Sequence, residues 1–302
     1  MKILITGWSG FIGQHLTSRL RNNFEIVCLQ SDLLKHNAVS AEVLAHAPDM
    51  ILHLAARTEV EQSFYEQTTF SNVNYTGTVN LIESCRQLKK LPKFMFSSTM
   101  EVYGWQPISD LIRAGDIPSV LPILDDYQPN PNAPYAVAKY GCEKYLEYAQ
   151  RAYGLDYFMI RQTNTFGRKD NNYFVTEQII SQMLSNPAVC NLGYKDPYRN
   201  FLFIDDLLDA WQVAIEKFDI IKNDVYTIGP NLPVRIEDHA LAIAKKLGWN
   251  GTINWDTKLN RPGEIFYLNS SSNKLSALTG WESKTTYDQG LDFTIETLKQ
   301  KL

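Results

Sequence analysis

The strongest constraint on the fold is an apolar run at the start of the chain that leads into three evenly spaced glycines. Residues 3–5 have the pattern of a buried strand, Gly7, Gly10 and Gly13 follow, and residues 14–21 continue with helical periodicity. Such glycines let the backbone turn tightly beside a pyrophosphate, and the next helix directs its free N–H groups at the anion. The sequence therefore predicts that a phosphate-bearing dinucleotide binds at this turn.

Strand-like and helix-like segments alternate through the first half of the chain, which is typical of a parallel sheet covered on both faces. The predicted strands are 2–6, 24–29, 50–54, 93–97 and 155–160, and the predicted helices are 11–21, 39–46, 70–89 and 134–152. We expect an α/β fold, with a Rossmann-like doubly wound parallel sheet and a smaller mixed α/β substrate-binding lobe.

A shift in composition near Gly167 indicates two parts in this fold. Residues 1–166 and 201–230 are predicted to form the dinucleotide-binding domain, and residues 167–200 and 231–302 the substrate lobe. The proline-rich stretch 104–134 is expected to be a loop that arches over a site.

The composition argues against several classes of partner. Apolar residues make up 44% of the 302 residues without a long apolar run, so no membrane span is predicted. The net charge of -4 disfavours nucleic acid, and the five histidines lack the spacing of metal ligands. The four cysteines are widely separated and the chain starts with a core strand, which together predict a reducing, cytoplasmic location.

Tyr135 and Lys139 lie four residues apart, which puts both on one face of a helix that begins near Pro134. An ammonium close to a phenol, together with the positive charge of an oxidised nicotinamide, lowers the pKa of the phenol toward neutrality. The phenolate can then take the proton of a hydroxyl as hydride leaves the adjacent carbon. This spacing predicts reversible oxidation of an alcohol.

Several motifs follow one another in a characteristic order. Besides the glycine turn and the Tyr135/Lys139 pair, they are His53-Leu-Ala-Ala56, Asn74-Tyr-Thr-Gly77-Thr78, Phe96-Ser-Ser-Thr-Met-Glu-Val-Tyr-Gly104, Arg161-Gln-Thr-Asn164-Thr-Phe-Gly167, Arg199-Asn-Phe-Leu-Phe-Ile-Asp205-Asp206 and Arg261-Pro-Gly-Glu264. Together they resemble the extended short-chain dehydrogenase/reductase superfamily, specifically its nucleotide-sugar epimerases and dehydratases, over nearly the whole chain.

The resemblance implies a role for each matched residue. The catalytic residues implied are Thr99, Glu101, Tyr135 and Lys139. The cofactor-binding residues implied are Gly7, Gly10, Phe11, Ile12, Gly13, Asp32, Leu33, Leu54, Ala55, Ala56, Asn74, Ser97, Tyr135 and Lys139. The residues implied for a nucleotide-diphosphate sugar are Thr99, Asn164, Arg199, Arg261 and Glu264, and no metal site is expected.

Glu101 discriminates between the reactions of this family. A carboxylate two residues after the catalytic Thr99 is found in family members that are 4,6-dehydratases or decarboxylases, and it can remove the C5 proton once C4 is a ketone. We therefore expect a nucleotide-sugar 4,6-dehydratase. Met100 stands where the best-known dehydratases have an Asp, which keeps a 4-epimerase as the alternative. A deoxysugar-nucleotide reductase that uses NADP and a non-catalytic dinucleotide-binding regulator are further alternatives.

The cofactor and the oligomeric state complete the expectations. Gln30 stands where an acidic residue normally contacts the adenosine ribose, and no nearby arginine offers a partner to a 2′-phosphate, so we expect NAD, with NADP as the alternative. The resemblance also implies a homodimer through a four-helix bundle of helices 70–89 and 134–152. The apolar side chains expected to support this dimer are Tyr140, Tyr145, Leu146 and Tyr148.

Overall fold

The computed structural model describes residues 1–104, 123, 127–168 and 173–300, and in this part of the chain a six-stranded parallel sheet is the central element. The strands are β1 (Lys2–Thr6), β2 (Glu25–Cys28), β3 (Met50–His53), β4 (Lys93–Thr99), β5 (Tyr157–Gln162), β6 (Asn164–Phe166), β7 (Val189–Leu192), β8 (Tyr198–Phe203), β9 (Asp224–Ile228), β10 (Pro233–Arg235), β11 (Thr252–Trp255) and β12 (Tyr267–Leu268). The large sheet has the order β2-β1-β3-β4-β5-β9. The predicted α/β class with a parallel, Rossmann-like sheet is confirmed.

Helices cover both faces of this sheet. They are α1 (Phe11–Leu20), α2 (His36–His46), α3 (Val60–Ser63), α4 (Gln67–Ser71), α5 (Gly77–Cys85), α6 (Pro134–Tyr153), α7 (Val175–Ser185), α8 (Ile204–Glu216), α9 (Phe218–Ile221), α10 (Ile236–Leu247), α11 (Asn273–Thr279) and α12 (Tyr287–Lys299). One buried cluster joins the sheet to α1 and α8 through Leu16 and Trp211. A second cluster joins the opposite face to α2, α5 and α6 through Val39, Leu81 and Leu146. Among the described residues, no helix is both long and apolar enough to cross a membrane.

The predicted helix 70–89 is present as one helical stretch, in which a π-helical turn at Asn72–Thr76 joins α4 to α5, but it begins earlier, at Gln67, and ends earlier, at Cys85. The Asn74 side chain explains the turn locally: its amide exchanges hydrogen bonds of 2.8 and 2.9 Å with the backbone of Arg57. After Cys85 the chain makes short turn hydrogen bonds, which brings it to Pro92 and the start of β4.

The remaining described strands form two smaller sheets. β8 pairs with β6, β10 and β12, and β7 pairs with β11. β6 precedes the predicted boundary at residue 167 and β8 crosses the one at residue 200, and the division into two domains stays a prediction. The predicted loop 104–134 lies largely outside the described residues.

Two buried histidines link helices and strands through hydrogen bonds. His53 Nδ1 lies 2.6 Å from Thr6 Oγ1, and its Nε2 lies 2.7 Å from Thr78 Oγ1. His239 stacks on Phe201 with ring centroids 4.0 Å apart and contacts Tyr287 Oη at 2.6 Å. Burial lowers the pKa of both histidines to about 3.

These histidines predict that the protein loses stability as the pH falls from neutrality. The unfolded chain takes up protons at histidine near pH 6.5, whereas the folded protein keeps both rings neutral down to about pH 3. Each buried histidine should therefore lower the free energy of unfolding by about 1 kcal/mol between pH values of about 7.5 and about 5.5. Urea unfolding of the parent protein and of His239→Gln at both pH values measures this free energy. Between the two pH values, the free energy of unfolding should fall by about 1 kcal/mol less in the variant than in the parent. An equal loss in both proteins would contradict the prediction.

Candidate active site

The glycine turn lies at the carboxyl end of β1 and packs tightly against the residues after β3. Gly7 has a φ of +67°, and a Cβ added to it would lie 2.6 Å from Ala55 N. A Cβ at Gly13 would lie 2.1 Å from Gly7 O. The N-cap of α1 is Gly10, without a side-chain hydrogen bond and without an acidic residue in the first turn. The first backbone N–H groups of α1 are thus suited to an anion such as a pyrophosphate.

Two adjoining cavities bring most of the predicted site residues together. The first, of about 300 Å³, we call the glycine-turn cavity, and the second, of about 390 Å³, the arginine cavity. Predicted residues that line the glycine-turn cavity are Gly7, Gly10, Phe11, Ile12, Gly13, Leu54, Ala56, Thr99, Glu101, Tyr135 and Asn164. Those that line the arginine cavity are Glu101, Asn164, Arg199, Arg261 and Glu264. Glu101 and Asn164 line both.

Tyr135 and Lys139 are positioned by the first turns of α6, with Pro134 as its first residue. Tyr135 is buried at the glycine-turn cavity, and burial raises the pKa of its phenol, although a hydrogen bond with Thr99 acts in the opposite direction. Lys139 lies deeper, where its Nζ donates to Ser97 O at 2.6 Å and burial lowers its pKa to about 8. Burial therefore keeps the phenol neutral in the protein alone, and the lowered pKa predicted from sequence requires the further positive charge of an oxidised nicotinamide.

A buried ion pair behind these residues was missed by the sequence analysis. Arg161 Nη2 donates to Glu143 Oε2 at 2.6 Å, and both side chains are at most 5% exposed. Ser98 Oγ donates to Glu143 Oε1 at 2.5 Å, and Arg161 Nη1 donates to Tyr103 Oη at 2.7 Å. This network joins α6 to β4, to β5 and to the 3₁₀ turn at Met100–Tyr103, which carries Glu101.

Glu101 belongs to a second, more open set of charges. Its Oε1 lies 3.4 Å from Arg261 Nη2, and its Oε2 is buried without a hydrogen-bond partner among the residues that the structure describes. Glu264 accepts from Arg261 at 3.0 Å and also from Arg199. Burial opposes ionisation of Glu264, but Arg261 and Arg199 hold its pKa below the usual value. Two guanidinium groups and two carboxylates thus balance in charge at this cavity.

Several predicted cofactor residues lie outside both cavities. The Asp32 carboxylate accepts from Leu34 N at 3.0 Å, and Leu33 is buried against Gly77. Asn74 is bonded to the Arg57 backbone, as described above. The remaining ones are Ala55 against the glycine turn, Ser97 and Lys139. Their contact with a cofactor stays a prediction.

Arg168 is a residue of the glycine-turn cavity that the sequence analysis did not select. Its guanidinium lies 4.4 Å from the ring centroid of Phe11 and 3.8 Å from that of Phe174. The backbone N–H groups of Gly167 and Arg168 both donate to Glu177 Oε1 at 2.9 Å, which fixes the turn. Arg168 directly follows Gly167, the last residue of the Arg161 motif, and this position was the sequence signal by which it could have been selected. The site thereby gains a cation beside the N-terminus of α1.

Comparison with known proteins identifies relatives of this fold and site. The chain is 30% identical to a dTDP-D-glucose 4,6-dehydratase of Dictyostelium discoideum, over 82% of this chain and 61% of the relative. It is 25% identical to the human dTDP-D-glucose 4,6-dehydratase, over 99% of this chain and 90% of the relative. The chain therefore spans less than two thirds of the Dictyostelium protein but most of the human one.

A solved structure is also similar to this chain. The UDP-glucose 4-epimerase of Thermotoga maritima, determined with UDP-glucose, superimposes with a TM-score of 0.87 at 25% identity, covering 100% of this chain and 99% of that one. The profile of the NAD dependent epimerase/dehydratase family matches residues 3–229. This chain belongs to the NAD-dependent epimerase/dehydratase family.

Proposed function

We propose that this protein is an NAD-dependent nucleotide-sugar 4,6-dehydratase of the cytoplasm. The observation that carries the proposal is the convergence of Thr99, Glu101 and Tyr135 at the cavity that also contains the glycine turn. A carboxylate oxygen of Glu101 is buried there and has no hydrogen-bond partner among the described residues. A buried carboxylate oxygen without a hydrogen-bond partner is costly unless a ligand uses it, and acting as the base for the C5 proton is such a use.

The residues at the glycine turn fit a dinucleotide. The uncapped N-terminus of α1 offers N–H donors to the pyrophosphate, and Arg168 lies beside the side chain of Phe11 in the same turn. When bound, NAD supplies the acceptor and later the donor of hydride. We assign residues 1–166 and 201–230 to dinucleotide binding and residues 167–200 and 231–302 to the substrate.

Tyr135 and Thr99 act on the C4 hydroxyl of the sugar. The Thr99 hydroxyl is hydrogen-bonded to the phenol and holds the substrate oxygen beside it. With an oxidised nicotinamide nearby, Tyr135 would act as the phenolate, held in that form by the Lys139 ammonium, and it would become the neutral phenol by accepting the hydroxyl proton as C4 is oxidised. Lys139 is itself fixed by Ser97 O at 2.6 Å, so its charge is held in place.

Glu101 then acts on C5 and C6. Oxidation at C4 makes the C5 proton acidic, and the free Oε2 of Glu101 removes it. Because Met100 cannot donate a proton, we assign the next step to Glu101 as well: the newly protonated carboxyl donates to the C6 hydroxyl as it leaves as water. The proton taken from C5 thereby leaves with the C6 oxygen.

The arginine cavity supplies a site for the nucleoside diphosphate. Arg199 and Arg261 are both paired with Glu264, so their guanidinium groups are already oriented before a diphosphate arrives. Phosphate oxygens then share these donors with Glu264, and Asn164 lies where the two cavities meet.

A 4-epimerase is the second candidate, and Met100 is the observation that favours it, since it provides no acid beside Glu101. The fold is also that of the Thermotoga UDP-glucose 4-epimerase. A reductase or a non-catalytic dinucleotide-binding protein would be recognised in the same assays, by consumption of NADPH or by binding without turnover.

The protein should convert at least one UDP-, dTDP-, GDP- or CDP-hexose into a 4-keto-6-deoxy product, and Glu101→Gln should lower that rate about 10²- to 10⁴-fold because the C5 base is lost. Mass spectrometry detects the loss of water. Glu216→Gln, a change at an exposed carboxylate of α8 that lines neither cavity, is the matched control and should retain activity. Inversion at C4 without loss of water would establish the epimerase instead.

Tyr135→Phe should lower turnover about 10²- to 10⁴-fold while the protein still binds NAD, because the phenol acts on the proton and not on the dinucleotide. Tyr140→Phe, on the same helix, removes a hydroxyl outside both cavities and should have little effect. Single-turnover kinetics and calorimetric titration of NAD separate the two effects. Unchanged turnover in Tyr135→Phe would contradict the catalytic role of this residue.

We also propose a homodimer through α5 and α6. Tyr75, Tyr145 and Tyr148 form a row of ring contacts with centroids 6.4 and 5.4 Å apart, and Tyr148 is 45% exposed. The Tyr145 and Tyr153 hydroxyls both donate to Glu83 across the two helices. Two of the side chains expected on this face are placed otherwise: Leu146 is fully buried in the core, and Tyr140 packs against the buried cluster that contains Met100.

Tyr148→Arg should convert the dimer into a monomer, because a second copy would have to bury the new charge. Light scattering at micromolar concentration measures the mass. Leu241→Arg, at a 54% exposed position of α10, is the control and should stay dimeric. A parent protein that is monomeric would remove the proposal.

A further inference from the structure

The carboxyl end of β2 lies directly against the glycine turn. Leu29 N donates to Ile5 O at 3.0 Å, and the indole of Trp8 donates to Leu29 O at 3.1 Å. Gln30 and Ser31 follow at once, so their backbone lies beside the turn to which we assign the dinucleotide. In dinucleotide sites of this fold, the residue after the second strand contacts the adenosine ribose.

Glu42, which the sequence analysis did not select, occupies the hydrogen-bond donors at this strand end. Its Oε1 accepts from Gln30 N at 2.8 Å, and its Oε2 accepts from Ser31 N at 2.8 Å. Burial alone would raise the pKa of Glu42, but the Ser31 side chain and the two amides lower it below its usual value. The carboxylate therefore stays ionised at neutral pH.

This arrangement has opposite consequences for NAD and NADP. Each oxygen of an ionised carboxylate has a further lone pair, so Glu42 can still accept a hydrogen bond from a ribose hydroxyl. A 2′-phosphate would instead need the same amides and the Ser31 hydroxyl, which Glu42 already uses. It would also meet the like charge of Glu42, and residues 30–34 contain neither Arg nor Lys, the first cation along the chain being Lys35 at the N-cap of α2.

We propose that Glu42 determines the dinucleotide selectivity of this protein: it takes the place of the acidic residue missing at Gln30, accepts the adenosine 2′-hydroxyl and excludes a 2′-phosphate. The inference rests on the proposed dinucleotide-binding function and adds its specificity. It explains how a strand end with the uncharged pair Gln30-Ser31 retains a fixed negative charge supplied from α2.

Calorimetric titration of NAD⁺ and NADP⁺ into the parent protein, Glu42→Gln and Glu42→Ala tests this without any sugar substrate. The parent should bind NAD⁺ more tightly. We express the preference for NAD⁺ as the Kd of NADP⁺ divided by the Kd of NAD⁺. This ratio should fall about tenfold or more in Glu42→Gln, because the charge that repels the 2′-phosphate is removed. It should fall further in Glu42→Ala, which also frees the Gln30 and Ser31 amides for phosphate.

The control is Glu25→Gln, which removes the same charge at the opposite end of β2, where the side chain is 66% exposed and pairs with Lys2. This variant should keep the parent's ratio. Thermal unfolding checks that each variant is folded, and the isosteric Glu42→Gln serves if Glu42→Ala is not. NAD⁺ binding with an unchanged ratio in Glu42→Gln would overturn this inference alone. Failure of the parent to bind either dinucleotide would overturn the proposed function and the inference together.

Discussion

The buried ion pair between Glu143 and Arg161 is the interaction on which the arrangement of the site depends. It connects α6 to β4 through Ser98 and to β5 through Arg161 itself, and it reaches the turn of Glu101 through Tyr103. Loss of one partner would leave an uncompensated charge in the core, at a cost of about 3–5 kcal/mol. The network thus connects the elements that carry Tyr135, Thr99 and Glu101.

The charged network of Glu143 and that of Glu101 differ in how completely their polar atoms are hydrogen-bonded. Both oxygens of Glu143 have close donors, and its side chain is 1% exposed. Glu101, at the edge of the arginine cavity, has one long contact of 3.4 Å and one oxygen without a partner among the described residues. A satisfied network rigidifies its surroundings, whereas an unsatisfied one retains affinity for a ligand. The fully hydrogen-bonded network of Glu143 therefore supports the turn that carries Glu101, whose network is only partly hydrogen-bonded.

The sequence was sufficient for the fold because its signals are local. The glycine turn and the alternation of strands and helices lie within short windows, and the sheet follows from them. The π-helical turn within the helix predicted at 70–89 was not predicted, because Asn74 bonds there to the distant backbone of Arg57, which no local periodicity reveals. The same holds for the site: Arg261 and Glu101 are 160 residues apart in sequence, so neither motif contains the other's partner.

The contribution of Glu42 could not be found from sequence for a related reason. Gln30 occupies the aligned position, and the compensating carboxylate comes from the next helix, twelve residues later. The uncharged residue Gln30 is thus compensated by the Glu42 carboxylate, which reaches this position only in the folded protein. Motif positions define where a charge is needed, but the three-dimensional structure decides which residue provides it.

The hydrogen bonds of His53 show how the fold keeps this imidazole neutral beside Lys139. Thr78 Oγ1 donates to Asn74 O, so it can only accept from His53 Nε2–H, and His53 Nδ1 must then accept from Thr6. These directions hold the imidazole in one neutral tautomer, and the nearby Lys139 further lowers its pKa. Lys139 thereby remains the positive charge beneath Tyr135, with a pKa of about 8 that burial has brought close to neutrality. A second cation at His53 would lower that value further and remove the charge on which an ionised phenol depends.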